Sequence, residues 1–199
     1  MLLRFVLTVH DIISSKLKRQ LMKKITIEDA QNEMVPFLQN IQSVLLSTVD
    51  AECEPFVSYS PYVEDEEGNF YVFISTAVKH SHNINATGKA HIMFLEDESV
   101  TDHIYARRRM YFKAKAEAFS ENDEREEKIH ELFKKRFGDK VSFFSMMKDS
   151  RFYKLTPSEG NFVLGFGAAF KIAEDRKTLV LNDKGHSTSH AEGLKKGQK

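Results

Sequence analysis

The segment Met110-Tyr111-Phe112-Lys113-Ala114-Lys115-Ala116-Glu117-Ala118 limits what this chain can fold into more than any other stretch. Its residues alternate inward-type and outward-type, the two-residue period of a strand with one buried face and one wet face, and a helix would scatter the pattern around its axis. Met110, Phe112, Ala114, Ala116 and Ala118 are expected inward, with Tyr111, Lys113, Lys115 and Glu117 outward. Continued backward, the same parity places Arg107 and Arg109 on the outer face and Arg108 on the inner one.

The flanking sequence supplies partners for such a strand. Thr26 is an expected N-cap with Asp29 three residues on, and Met34, Phe37, Leu38 and Ile41 follow at helical spacing despite Pro36. From Ser43 the period changes, and strands are expected at 44–49, 55–63 and 69–75, a β-meander. A short helix should follow Ser75, and residues 90–95 read as another strand. Residues 122–137 read as a helix with Ile129, Leu132, Phe133 and Phe137 on one face, stopped by Gly138, and 140–147 as a shorter one. Residues 151–155 return to the sheet, 156–160 read as a turn, and 161–170 as an antiparallel return.

Sixteen phenylalanines and no tryptophan also suggest a β-rich core, in a chain of 199 residues that can bury one sizeable domain. The 29 basic and 29 acidic residues cancel, which excludes a global field for nucleic acid or an anionic membrane; any binding site must be local. Cys53 is the single cysteine and is expected near a turn, so neither an intramolecular disulfide framework nor a multi-cysteine zinc site is available. Nothing approaches the roughly 18 apolar residues that span a bilayer, and a soluble, cytoplasmic protein is expected. Residues 1–21 have an apolar start, but His10, Asp11, Lys16, Lys18 and Arg19 follow without a small-residue cleavage pattern; they read as an N-terminal extension. The expected organisation is that extension, one domain over 22–190, and a flexible tail over 191–199.

Three places carry chemistry. Ser75, Lys79 and the amides opening the following helix could cradle a phosphate; equally, the helix could be a capped connection whose His80 and His82 face solvent or satisfy backbone groups. Those two histidines point to different helix faces, which argues against a metal pair. Arg107, Arg108 and Arg109 could bind a flavin phosphate or haem propionates, or could merely charge a strand end for solubility. Gly165 and Gly167 flank Phe166 at the end of an apolar run, where glycine marks a bulge or a close approach. Beyond them, His186 and His190 lie in a polar loop.

Arg151-Phe152-Tyr153-Lys154-Leu155, Glu159-Gly160, Gly165-Phe166-Gly167-Ala168-Ala169-Phe170 and Gly185-His186 together resemble the HugZ/HutZ-type haem-utilisation proteins. These belong to the pyridoxamine 5′-phosphate oxidase-like, FMN-binding split-barrel superfamily, and the resemblance spans residues 25–190. Ser75, His80, Ser81, Asn83 and Ile84 match a further family phrase. Lys79 stands where members vary, and Ala114 replaces the usual glycine.

The resemblance implies a mainly β (α+β) split β-barrel with peripheral helices, forming a homodimer with two cofactor sites at the interface. It implies that His186 is the proximal haem iron ligand in a C-terminal haem-binding loop, that Asp149 orients that imidazole, and that the arginine strand, Arg109 in particular, serves the bound cofactor. For Asp149 the competing reading is a turn cap before Arg151. The implied activity is a haem oxygenase that cleaves haem to a biliverdin-type product and releases iron, with an electron donor as partner. The alternatives are an FMN-binding oxidoreductase, with Ser75, Lys79 and Arg107 to Arg109 on the flavin phosphate, and a haem carrier or storage protein.

Overall fold

The computed structural model describes residues 25–181. The expectations for 1–21, His186, His190 and 191–199 lie outside that range. Helix α1 (Ile27–Asn40) opens with the expected capping box: the Asp29 amide donates to Thr26 Oγ1 and the Thr26 amide to Asp29 Oδ2, each at 3.1 Å. Its buried face, Ala30, Met34, Phe37 and Leu38, lies on the sheet, with the Phe37 ring 5.1 Å from that of Phe162. The last carbonyls of α1 are met by Arg136, which donates to the oxygens of Leu38 and Ile41.

Strands β1 (Ser43–Val49), β2 (Pro55–Glu64) and β3 (Phe70–Ser75) form the meander; helix α2 (Lys79–Thr87) leads to β4 (Lys89–Leu95) and β5 (Arg109–Ala118). Helix α3 (Glu126–Phe137) and a 3₁₀ stretch (Gly138–Met146) then precede β6 (Ser150–Gly165), β7 (Ala168–Ile172) and β8 (Leu179–Leu181). The order β3-β2-β1-β4-β5-β6, with β3 also paired to β6, closes an antiparallel barrel of six strands, and β7 and β8 extend from β6. Inside it Tyr62, Phe70, Phe94 and Phe112 pack ring against ring, Tyr62 and Phe70 each with a centroid 4.8 Å from Phe94. A smaller cluster, including Tyr71, Phe119, Phe133 and Phe152, seats α3 on the barrel.

Four expectations are corrected. Residues 156–160 are no turn: β6 runs unbroken for 16 residues. A bulge puts Gly160 opposite Phe112 and Pro157 opposite Ala114, so the proline's missing N–H falls where the ladder is already interrupted. Here β6 changes neighbours on its other edge, pairing with β3 over Ser150–Leu155 and with β7 from Gly160 onward. Second, the run to Phe170 is split by the turn at Gly165 and Gly167, whose φ angles of 157° and 68° suit glycine, leaving Phe166 exposed. Third, α3 starts at Glu126 because Asn122 is left-handed (φ 59°) and Asp123 ties the turn by accepting from the Arg125 amide and side chain. Fourth, β5 begins at Arg109, so strand parity does not govern Arg107 and Arg108; Arg107 instead caps a 3₁₀ turn over Ile104–Ala106. Strand β8 had too few residues to show a period. Cys53 is exposed at the β1–β2 turn with φ 67°.

Candidate functional site

The residues singled out in the sequence fall into two groups at opposite ends of β6. The first surrounds the passage from β3 into α2. Because β3 and β6 pair Ser75 with Ser150, Ser75 and Asp149 meet despite lying far apart in sequence: Ser75 Oγ donates to Asp149 Oδ2 at 2.7 Å. The Asp149 carbonyl accepts from the Thr76 amide at 2.7 Å and from Thr76 Oγ1 at 2.8 Å. Asp149 is therefore a fixed carboxylate joining two elements rather than a cap on its own turn.

Helix α2 is held by the very residues of the family phrase. Ser81 shares a hydrogen bond with the Tyr153 hydroxyl, Asn83 donates to Thr48 Oγ1 at 3.0 Å, and Ile84 is buried. His80 is also buried, its ring 6.4 Å from Phe56, and its Nε2 has no partner among the described residues. Burial holds its imidazole below the ordinary value, favouring the neutral form. Lys79 Nζ pairs with Asp50 at 3.5 Å and lies 5.9 Å from the Phe56 ring centre. A phosphate cradle is not assembled here: the Ser75 hydroxyl faces a carboxylate, and Lys79 has its own.

The second group is the arginine run at the other end, and its members have three different fates. Arg107 donates through Nε to the Glu96 carbonyl at 2.6 Å and pairs with Glu98 at 2.8 Å. Arg108 clamps the buried carboxylate of Glu96 and reaches Glu33 at 3.2 Å. Arg109 donates to the Arg107 carbonyl at 3.0 Å and has no carboxylate partner among the described residues. Of the three, Arg109 retains a guanidinium available to an anion.

Sequence reasoning missed Glu96, the reason Arg108 is structural, because an acidic residue ending a strand carries no mark of burial. It also gave no role to His103 and Tyr105. Both sit on the β4–β5 loop, where the His103 ring lies 5.9 Å from that of Tyr105 and 5.4 Å from that of Phe166, and a tyrosine in a polar loop was the one available signal. A cleft of about 370 Å³ lies between α3 and the start of β6, lined by Phe73, His130, Phe144, Met147, Ser150 and Arg151 among others. On the outer barrel surface the register sets Tyr59 beside Leu45, Leu45 beside Met93 and Met93 beside Tyr111; with exposed Val57 they make an apolar band across four strands. Among the described residues, no group of three or more histidine, cysteine or acidic side chains could hold a metal ion. No described helix is long and apolar enough to cross a membrane.

Residues 30–164 match the pyridoxamine 5′-phosphate oxidase family. The chain is 33% identical over 155 residues to the protein named heme oxygenase HutZ of Vibrio cholerae serotype O1, covering 77% of this chain and 88% of that one. A crystal structure of Vibrio cholerae HutZ, described as a haem storage protein, superposes with a TM-score of 0.63 at 30% identity, over 73% of this chain and 96% of the other. Campylobacter jejuni ChuZ superposes with a TM-score of 0.71 at 31% identity, over 87% and 71%.

Proposed function

Because the chain belongs to the HutZ-type group of the pyridoxamine 5′-phosphate oxidase-like family, we propose that it binds haem and degrades it oxidatively to a biliverdin-type product, releasing iron. The observation that carries this reading is Arg109, an uncommitted guanidinium at the barrel end toward which β8 runs. Strand β8 is antiparallel to β7 with Leu181 opposite Phe170, so its C-terminal end faces the Gly165–Gly167 turn. His186 follows Leu181 by five residues in the sequence.

In the proposed site His186 ligates iron, Arg109 holds a propionate, and Asp149, fixed by Ser75, accepts from the other ring nitrogen of His186. Bound haem supplies the oxygen chemistry, using electrons from an external donor; the protein orients the ring and tunes its ligand. Asp149 and Arg109 stand at opposite ends of β6, so one site that uses both draws them from two chains. A homodimer formed through the apolar band of Val57, Tyr59, Leu45, Met93 and Tyr111 supports that arrangement. An FMN enzyme is the weaker reading, since Ser75, Lys79, Arg107 and Arg108 all have other partners.

The test is a haemin titration followed by ascorbate. A sharpened Soret band should form and then bleach as a chelator captures iron; a band that persists under reductant means storage instead of degradation. His186→Ala should lose the shifted band while His190→Ala keeps it, and Asp149→Asn should slow bleaching. Tyr59→Asp should give a monomer with weakened haem binding. A monomer that still binds haem normally would refute the shared site.

A further inference from the structure

We infer that Ser75, at the passage from β3 into α2, is a positioning residue whose hydroxyl aims the Asp149 carboxylate at the iron-bound imidazole; this rests on the reading of Asp149 as the partner of His186. Asp149 needs such a hold. It is exposed, and it stands one residue before β6. A carboxylate in that place turns freely in water, whereas an acceptor behind a metal-bound histidine works only when it stays in line with the imidazole N–H.

The hydroxyl is itself aimed. The Ala77 amide donates to Ser75 Oγ at 3.1 Å, and the single Ser75 proton goes to Asp149 Oδ2 at 2.7 Å. The Asp149 main chain is held separately, its carbonyl accepting from the Thr76 amide and from Thr76 Oγ1. Helix α2 stands behind Thr76, whose own carbonyl accepts from Ser81 Oγ at 3.4 Å. Among the described residues no other side chain or amide bonds the Asp149 carboxylate, so Oδ2 is taken by Ser75 and Oδ1 is left for an imidazole. Joining β3 to β6 does not require the Ser75 hydroxyl: six residue pairs from Phe70–Leu155 to Ser75–Ser150 and the two Thr76 bonds already do so. What the hydroxyl adds is the direction of the carboxylate.

The experiment compares haem-loaded, full-length wild type with Ser75→Ala, Ser75→Thr, Asp149→Asn and the double variant Ser75→Ala/Asp149→Asn. Resonance Raman of the reduced protein reads the iron–histidine stretching frequency, which rises as a carboxylate makes the imidazole more electron-rich. Bleaching under ascorbate is followed in parallel. Ser75→Ala should lower the frequency to that of Asp149→Asn and slow bleaching about tenfold, the lower end of what losing an outer partner of a metal ligand costs. Ser75→Thr, which keeps a hydroxyl, should restore both. The double variant should match Asp149→Asn, because Ser75 acts only through that carboxylate. Should Ser75→Ala melt early, Ser75→Cys, with a much weaker donor, takes its place. A wild-type frequency in Ser75→Ala beside a lowered one in Asp149→Asn overturns the role of Ser75 and leaves the haem reading standing, even where bleaching slows. A frequency above wild type in Ser75→Ala also overturns it, since the hydroxyl then weakens the carboxylate instead of aiming it. An unchanged frequency in Asp149→Asn overturns both readings. If haem persists under ascorbate in every variant, degradation falls and the frequencies alone decide for or against Ser75.

Discussion

Replacing Arg107, Arg108 and Arg109 singly by alanine should separate structure from binding within one tripeptide. Arg108→Ala strands the Glu96 carboxylate, whose side chain is 7% exposed and keeps only the Thr101 hydroxyl at 3.0 Å. Removing the partner of a fully buried charge costs about 3–5 kcal/mol. Arg108 is itself 40% exposed, so water can reach part of the pair, and about 2 kcal/mol is the expected loss. For a domain of this size that lowers the melting temperature by roughly 4–8 °C. Arg107→Ala loses one bond to the Glu96 carbonyl and an exposed pair with Glu98, about 1 kcal/mol together. Arg109→Ala loses a single bond to a backbone carbonyl and should stay within about 0.5 kcal/mol of wild type. Urea denaturation gives the stabilities and haemin titration the affinities. The stability order should be Arg109→Ala above Arg107→Ala above Arg108→Ala, with haem retention lost most sharply in Arg109→Ala. If Arg109→Ala is as unstable as Arg108→Ala, or binds haemin like wild type, the division of labour is wrong.

Two further outcomes follow from the barrel. In Gly160→Ala the new carbon would collide with the Phe112 ring and lie 2.9 Å from the Tyr111 carbonyl, so overpacking should cost about 2–3 kcal/mol, with partial recovery on adding Phe112→Leu; a neutral single variant in urea denaturation would argue against this close packing. His80, held by burial below its ordinary value of 6.5, takes up a proton more readily once unfolded. Its contribution to stability is therefore complete above about pH 7.5 and declines as the pH falls through 6.5 toward the folded value. Denaturation midpoints for wild type and His80→Gln between pH 8 and 5 should converge at the acidic end, and parallel profiles would show that His80 is not the group responsible. His91, lowered by burial and by Lys113, adds a slope of the same sign that both proteins share.

The alternation from Met110 to Ala118, the Thr26–Asp29 capping box and the meander of β1 to β3 were legible because each is a local matter: a period, a cap or a turn within a few residues. The serine, histidine and asparagine around α2 were legible as a phrase, though not as the anchors they prove to be. Tertiary structure decided whatever depended on which strands meet. Thr156-Pro157-Ser158-Glu159-Gly160 has the composition of a turn, yet it is a continuous strand, because β5 pairs along its whole length and a bulge absorbs the proline. Three adjacent arginines look equivalent until Glu96, Glu98 and Glu33 claim two of them. Ser75 and Asp149 become neighbours only through the register of β3 on β6. Local periodicity fixes which face a side chain takes within its own element; strand pairing between distant segments fixes whom it meets, and a catalytic arrangement is made of such meetings.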